Sequence, residues 1–480
     1  MLPLFSAHLI QKSLNSFVFP EDLEQQFTRV RNYFTALLQR QSSINIHEFL
    51  YELFVEALGY KSPFNETEWE LDLEPTPQLG FFSQTMRHPV VEIDYSALCA
   101  DEVIAKPSSL QWKISIHYQA IALFHVYTSD IFGQYFPLSQ LLTLEKWREF
   151  YLLCCRRTLL PRFINSSAHT AILLTESQEL EQTTAKSLYL QISSIRQYLV
   201  KDFRYRLYQG AVSDPEAVAN QAAMLLLRRI IFILYAQTQQ ILPPNLLEDA
   251  YNFFNPYQDQ AVWQNYKAIF RWLGYGGSRL KENLPKFPCS LFQTDPILDE
   301  QLFVGDELCR QLKELTKYQV SDGVLMCTLE ALLEPNRKRS PKYPCKQLLN
   351  LSATRQKVQT AVLGYYKERS PQDAIHLLEK IRVIDPQCQS GMQLVTAFRS
   401  LLQVCDYLFP KGDLRQIAEY ILRNCLYGCD ANPEAIAMAH LNLWLSALPW
   451  ALPDNAIEEH ITTATPDAMS GGADICLIEL

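Results

Sequence analysis

Two acidic residues, each closing a short apolar run, carry the strongest chemical signal in the chain. The first run ends in Ile384-Asp385 and continues through Pro386-Gln387-Cys388-Gln389-Ser390-Gly391 into the apolar-periodic segment MQLVTAFRSLLQVC. An acid at a strand's carboxyl end, followed by a small-residue loop that opens a helix, is how a doubly wound sheet holds a nucleotide-like ligand. The loop amides and the helix N-terminus face the ligand, and glycine permits close backbone approach. The second run ends Tyr427-Gly428-Cys429-Asp430-Ala431-Asn432-Pro433 and leads into EAIAMAHLNLWLSAL. Asp430 stands where a second-strand acid accepts hydrogen bonds from the two hydroxyls of a ribose. Pro433 suits the first turn of a helix, where a missing N–H costs nothing. Taken singly, the first loop also reads as an ordinary strand-to-helix turn, and Asp430 as a plain helix cap. The pair of loops is more specific than either.

The elements that must position these loops follow from the surrounding pattern. Short apolar strands at 381–385, 426–430, near Ile461 and at 473–479 alternate with helices, which implies a parallel sheet with helical crossovers. A basic stretch, NRKRSPKYPCK at 336–346, is the best linker candidate upstream. From about 109 to 333 the pattern is predominantly helical, and its densest part, QAAMLLLRRIIFILYAQ, is apolar almost all round, as a central buried helix should be. Residues 65–95 read as strands of a small sheet. Residues 1–60 read as helices with Phe27, Val30, Tyr33, Phe34, Leu37 and Leu38 on one face and Phe49, Leu50, Leu53, Phe54 and Leu58 on another, Gly59 closing the second. The expected organisation is a small α/β region (1–110), a large helical connector (111–335) and an α/β region with an incomplete doubly wound sheet (336–480). That is α/β plus α, and 480 residues at a working size of about 150 per domain allow three.

Composition narrows the function. With 48% apolar and 20% charged residues the chain is neither disordered nor low in complexity. A net charge of −9 argues against coating nucleic acid by the overall field, but the acidity is concentrated in 1–110 and 351–480, so the middle is the least repellent surface for a phosphate backbone. Twelve cysteines without paired spacing read as reduced thiols, and the apolar N-terminus lacks a basic region and a cleavage site. The run Ala222 to Ala236 is too short to span a bilayer and is interrupted by Arg228 and Arg229. A cytoplasmic protein with no membrane partner is expected. No P-loop, nucleophile elbow, HExxH helix or His/Cys ligand spacing occurs, so neither a catalytic nor a metal-ligating residue is assigned.

RVIDPQCQSG followed by LYGCDANPEAIAMAHLNLWL resembles motifs I and II of the adenine-specific DNA methyltransferases found in fused type IIG restriction-modification enzymes. The resemblance extends upstream in the right order. LLLRRIIFILYAQTQQILP is similar to the family's central helix, FPCSLFQTDPILDEQ to its Gly-Gly-Leu-Phe segment before a Leu-Leu-Asp, and LEALLEP to its Tyr-Glu-Xaa-Leu-Leu stretch. NRKRSPKYP sits where the family has a basic run and the loop called motif X. About residues 110–480 are covered.

The resemblance implies a Rossmann-like methyltransferase sheet, S-adenosylmethionine as cofactor and double-stranded DNA as partner. Asp385, Ser390 and Gly391 would line the methionine side of the cofactor and Asp430 would hold its ribose, with Pro386 and Asn432 also among the cofactor-binding residues. Gln389 and Gln387 replace a family glycine and alanine, and motif X reads Lys342-Tyr343-Pro344 without its threonine. The Asn-Pro-Pro-Tyr loop that holds a flipped adenine should follow the last strand, and the sequence ends at Leu480 before any such loop. The expectation is therefore a truncated methyltransferase, inactive alone, whose parallel sheet a second polypeptide would complete. The competing expectation is a non-enzymatic fragment of a defence system that binds DNA or a protein partner. Asn255-Pro256-Tyr257 reads as a helix-breaking turn. Asp72, Glu92 and Asp94 are placed somewhat like a family nuclease site, with Asp94 where a lysine would stand. A worn-out nuclease fold or solvated strand faces account for them better than an active site.

Overall fold

The computed structural model describes residues 3–39, 44–62, 67–73, 76–95, 110–125, 133–163, 166–208, 212–253, 255, 257–279, 282–287, 289–318, 320–333, 346–409, 412–450, 455–463 and 475–477. The basic stretch matched to motif X lies outside them, apart from Lys346. The fold is mixed α/β, and the chain divides into two compact units: Met1–Glu181 with Leu348–Ser352, and Gln182–Gln347 with Ala353–Leu480.

In the first unit, helices Ala7–Ser16, Leu23–Leu38 and Ile46–Tyr51 precede a mixed sheet. Phe27, Val30, Phe34, Leu37, Phe49, Leu50, Leu53, Phe54 and Leu58 are all buried, as the periodicity expects. Gly59 takes φ +78°, the left-handed conformation that glycine adopts without strain. Strands β1 (Glu68–Asp72), β2 (Gln78–Ser83), β3 (Arg87–Asp94), β4 (Trp112–Ile116), β5 (Ala120–His125) and β6 (Gln134–Pro137) lie side by side in chain order. All neighbours are antiparallel except β3 and β4, which run parallel. Here the sequence reading needs correction: the stretch from 109 does not begin a helical block, because β4 to β6 extend the sheet. Both faces of β4 and β5 are buried, so their sequences read as continuous apolar runs, which periodicity cannot distinguish from a buried helix.

The second unit holds the helical block and a smaller sheet. Pro215–Thr238 is its central helix, with Pro215 at the first position and Asp214 capping the Ala217 amide at 3.1 Å. It is long and apolar enough by composition to cross a membrane, yet two thirds of that stretch is buried inside the protein. Arg229 is wholly buried in it and donates to the carbonyls of Leu291 and Gln293 and to the carboxylate of Asp299. One guanidinium thus ties the central helix to the FPCSLFQTDPILDEQ segment through four of the five N–H donors of its planar fork. A short hairpin of β7 (Gly277–Arg279) and β8 (Glu282–Leu284) interrupts the block.

Strands β9 (Val383–Asp385), β10 (Leu426–Asp430), β11 (Ile461–Thr463) and β12 (Ile475–Cys476) form an all-parallel sheet in the order β11-β10-β9-β12. The helix Met392–Leu408 follows β9 and Pro433–Ala447 follows β10. The expected alternation of strand and helix is present; β10 spans the whole of its announced run, 426–430, and β9 is shorter than its own.

Candidate functional site

Strand order reverses at β9, which has β10 on one side and β12 on the other. In an open parallel sheet the crevice beyond the carboxyl ends of the strands at such a reversal is the ligand-binding position. Asp385 ends β9 there, with no exposed surface. Its Oδ1 accepts the Gln387 amide at 3.2 Å, while Oδ2 is buried and, among the described residues, has no hydrogen-bond partner. Burial, with a lesser contribution from the charge of Asp430, pushes the Asp385 carboxyl up to about 6.

The loop that follows is fixed by its neighbours. Gly391 has φ +76°, and a Cβ there would lie 2.9 Å from the Cα of Ala439 on the helix Pro433–Ala447. Only glycine meets both conditions. Gln389 also has a positive φ, +47°, at the position where the motif calls for glycine. Its side chain is exposed and its amide donates to Asp430 Oδ2 at 3.1 Å. Asp430 Oδ1 accepts the Asn432 amide at 2.8 Å, and Asn432 caps the next helix through the Glu434 amide at 3.0 Å. The two loops are further joined by Cys429, whose thiol donates to the Pro386 carbonyl at 3.2 Å and whose own carbonyl accepts the Cys388 amide at 3.0 Å.

The structure therefore brings Asp385, Pro386, Ser390, Gly391 and Asp430 into two adjoining loops and gives the Asn432 side chain a local capping role. Sequence reasoning missed Asn442 and Ala439. Asn442, buried on the Pro433–Ala447 helix, donates to the Ser390 carbonyl at 2.9 Å and leaves its own Oδ1 without a partner. The available signal was a lone amide in the apolar run HLNLWLSAL. Both helices behind the loops are pinned by ion pairs: Arg399 to Asp322 at 2.6 Å, with Tyr235 donating to the same carboxylate, and Arg228 to Glu434 at 2.9 Å. His440 is held neutral chiefly by burial, and its Nε2–H donates to the Ile461 carbonyl at 2.8 Å.

Asn255 accepts the amide of Tyr257, which is 96% exposed, and this turn has nothing of a base pocket about it. In the first unit, Asp72, Gln78, Glu92 and Lys113 are successive register partners across β1 to β4. Lys113, missed in the sequence reading, lies 2.8 Å from Asp94 and 3.8 Å from Glu92, while Arg87 pairs with Asp72 at 3.1 Å. An ammonium thus stands between the two β3 carboxylates where a divalent cation would need to sit. Among the described residues no group of three or more acidic, His or Cys side chains is placed to hold a metal.

No family model matches the chain. Over 314 residues it is 24% identical to a Methanocaldococcus jannaschii protein named as a type II restriction enzyme and methyltransferase, a match covering 51% of this chain and 26% of that protein. Among solved structures it is similar to the type IIL restriction-modification enzyme MmeI in complex with DNA (TM-score 0.40, 15% identity, 58% of this chain and 40% of that one). It is also similar to DrdV in its DNA complex (TM-score 0.33, 11% identity, 94% and 41%). The chain spans about a quarter of the length of the curated relative and about two fifths of the solved chains. Over about half its length, then, the chain is similar in sequence to a type II restriction enzyme and methyltransferase.

Proposed function

We propose that the chain is the amino-terminal portion of a site-specific DNA adenine-N6 methyltransferase of restriction-modification type, and that its Asp385 and Asp430 loops bind S-adenosylmethionine. The observation that carries this reading is the unpartnered, fully buried oxygen of Asp385 beside a second carboxylate at the strand-order reversal. Two acids sharing one site favour a ligand that brings positive charge and hydrogen-bond donors. S-adenosylmethionine carries an ammonium, a sulfonium and a ribose diol, and when bound it would supply the transferable methyl group. Asp385, Pro386, Ser390 and Gly391 would hold its methionine side and Asp430 its ribose. In sequence order within their sheet the strands run third, second, first, fourth, the arrangement of the first half of a doubly wound fold.

The 480 residues contain no Asn-Pro-Pro-Tyr or Asn-Pro-Pro-Phe. In the proposed division of labour they bind the cofactor, and a base-binding loop outside them, on a further stretch or a second polypeptide, supplies the adenine pocket. The Glu92 and Asp94 carboxylates, held by Lys113, act as an internal ion cluster of a nuclease-like remnant.

Calorimetric titration with S-adenosylmethionine tests the cofactor site. The expected result is measurable heat and, at a hundredfold excess over the dissociation constant, stabilisation of about 2.7 kcal/mol, both lost in Asp430→Ala. Neither heat nor thermal stabilisation at millimolar cofactor would leave only the reading of a DNA- or partner-binding fragment.

A further inference from the structure

The long helix His169–Leu207 carries a second feature that the cofactor reading does not use. From Lys186 onward, one of its faces presents Lys186, Tyr189, Ser193, Arg196, Gln197, Val200, Lys201, Arg204 and, just past the helix, Tyr208, at the three- and four-residue spacing that aligns side chains on a helix. No Asp or Glu falls in that series. The stretch from Tyr189 to Arg204 forms one wall of a cavity of about 480 Å³, closed by Asn220 of the central helix and by Ala331 and Leu332.

Three cations point to this cavity from successive turns. Arg196 is only loosely engaged, its Nη1 lying 3.5 Å from the Leu332 carbonyl. Arg204 pairs with Glu216 at 2.7 Å, a contact in which both side chains remain about half exposed. Lys201 is exposed. At about 1.5 Å per residue the three charges span roughly 12 Å, the reach of a few consecutive phosphates rather than of one carboxylate. Ser193, Gln197 and Asn220 add neutral donors between them. Tyr198, Tyr205 and Tyr208, 56%, 68% and 65% exposed, flank or extend the face with flat rings. A cavity with clustered guanidinium and ammonium groups, amide and hydroxyl donors and no acid on its main wall is complementary to phosphate oxygens.

We infer that this cavity is a phosphate-binding site, taking either the backbone of DNA or the polyphosphate of a free nucleotide. The inference stands apart from the cofactor site, since none of its residues lies in the Asp385 or Asp430 loops. The test uses the full chain with two probes, a fluorescent DNA duplex and inorganic triphosphate, over a range of salt concentrations. Lys201→Gln, an exposed change that the fold should tolerate, is compared with the triple variant Arg196→Gln, Lys201→Gln, Arg204→Gln, and with Arg415→Gln as a control cation elsewhere in the same unit.

If the duplex is the ligand, the logarithmic salt slope should fall by about 0.9 for Lys201→Gln and by up to about 3 for the triple variant, with the control unchanged and Lys201→Arg close to the original protein. If triphosphate alone is weakened, the site is one for a free polyphosphate, and the inference stands with that ligand. Circular dichroism of each variant confirms folding. Equal binding of both probes by folded triple variant and original protein overturns the inference, as does a control variant that lowers the slope as much as Lys201→Gln.

Discussion

In the first unit's sheet Glu70, Asp72, Glu92 and Asp94 each face a cation supplied by the same unit: Arg156, Arg87 and the buried Lys113. In the parallel sheet, among the described residues, Asp385 and Asp430 face backbone amides and each other, and one oxygen of Asp385 has no hydrogen-bond partner. An acid neutralised from within needs nothing further. Two acids left short of positive charge are costly to keep, and that cost is what the proposed ligand site would explain.

The comparison can be broken most forcefully at Lys113. Lys113→Met strands two carboxylates in a buried sheet and should cost about 3–5 kcal/mol, read from urea unfolding, with much of the loss recovered when Asp94→Leu is added. If the single variant is as stable as the original, the first sheet's acids are not held by that charge. Next in size, Gly391→Ala combines a left-handed backbone with a clash against Ala439 and should destabilise by roughly 2–4 kcal/mol.

The third change has the opposite sign. Folded Asp385 keeps its proton up to about pH 6, while in the unfolded chain it releases it near about 3.9. The folded state therefore binds more protons in that window, and stability falls as pH rises from about 4 to about 6. Asp385→Asn should abolish this fall and leave the protein roughly 2–3 kcal/mol more stable at neutral pH, while S-adenosylmethionine no longer binds. A melting temperature unchanged across that pH range in the original protein would contradict the raised carboxyl. Smallest of all, Asp430→Asn removes a lesser repulsive contribution and should move the same transition to slightly lower pH, visible in the pH dependence of melting.

Much of this was legible in the sequence, for reasons that can be named. The β9 and β10 loops announce themselves because an acid, a glycine and a helix-starting proline are tied to backbone geometry at fixed offsets. The central helix was readable because few sequences are apolar all round. Strands β4 and β5 were not, since burial on both faces erases the alternation that marks a strand, and β6 is only four residues long. Nor was Lys113: its partners sit on the neighbouring strand, 19 and 21 positions away, and that register is set by tertiary pairing. Gln389 was visible as a departure from the motif, but only the structure gives its backbone the conformation of the glycine it replaces.

The ion pairs of Arg399 and Arg228 have a consequence for motion. They tie the helices Met392–Leu408 and Pro433–Ala447 to Asp322 and to Arg228 of the central helix, the second pair at the end of its helix next to the Asp430 loop. Access to the enclosed oxygen of Asp385 then falls to Gln387 through Gln389, whose amides are each held by a single hydrogen bond. For the proposed cofactor, entry would be governed by fluctuation of this loop, at about nanoseconds to microseconds, rather than by the slower hinge of a domain. A molecule captured there would order a short run of backbone and leave the rest of the unit as it was.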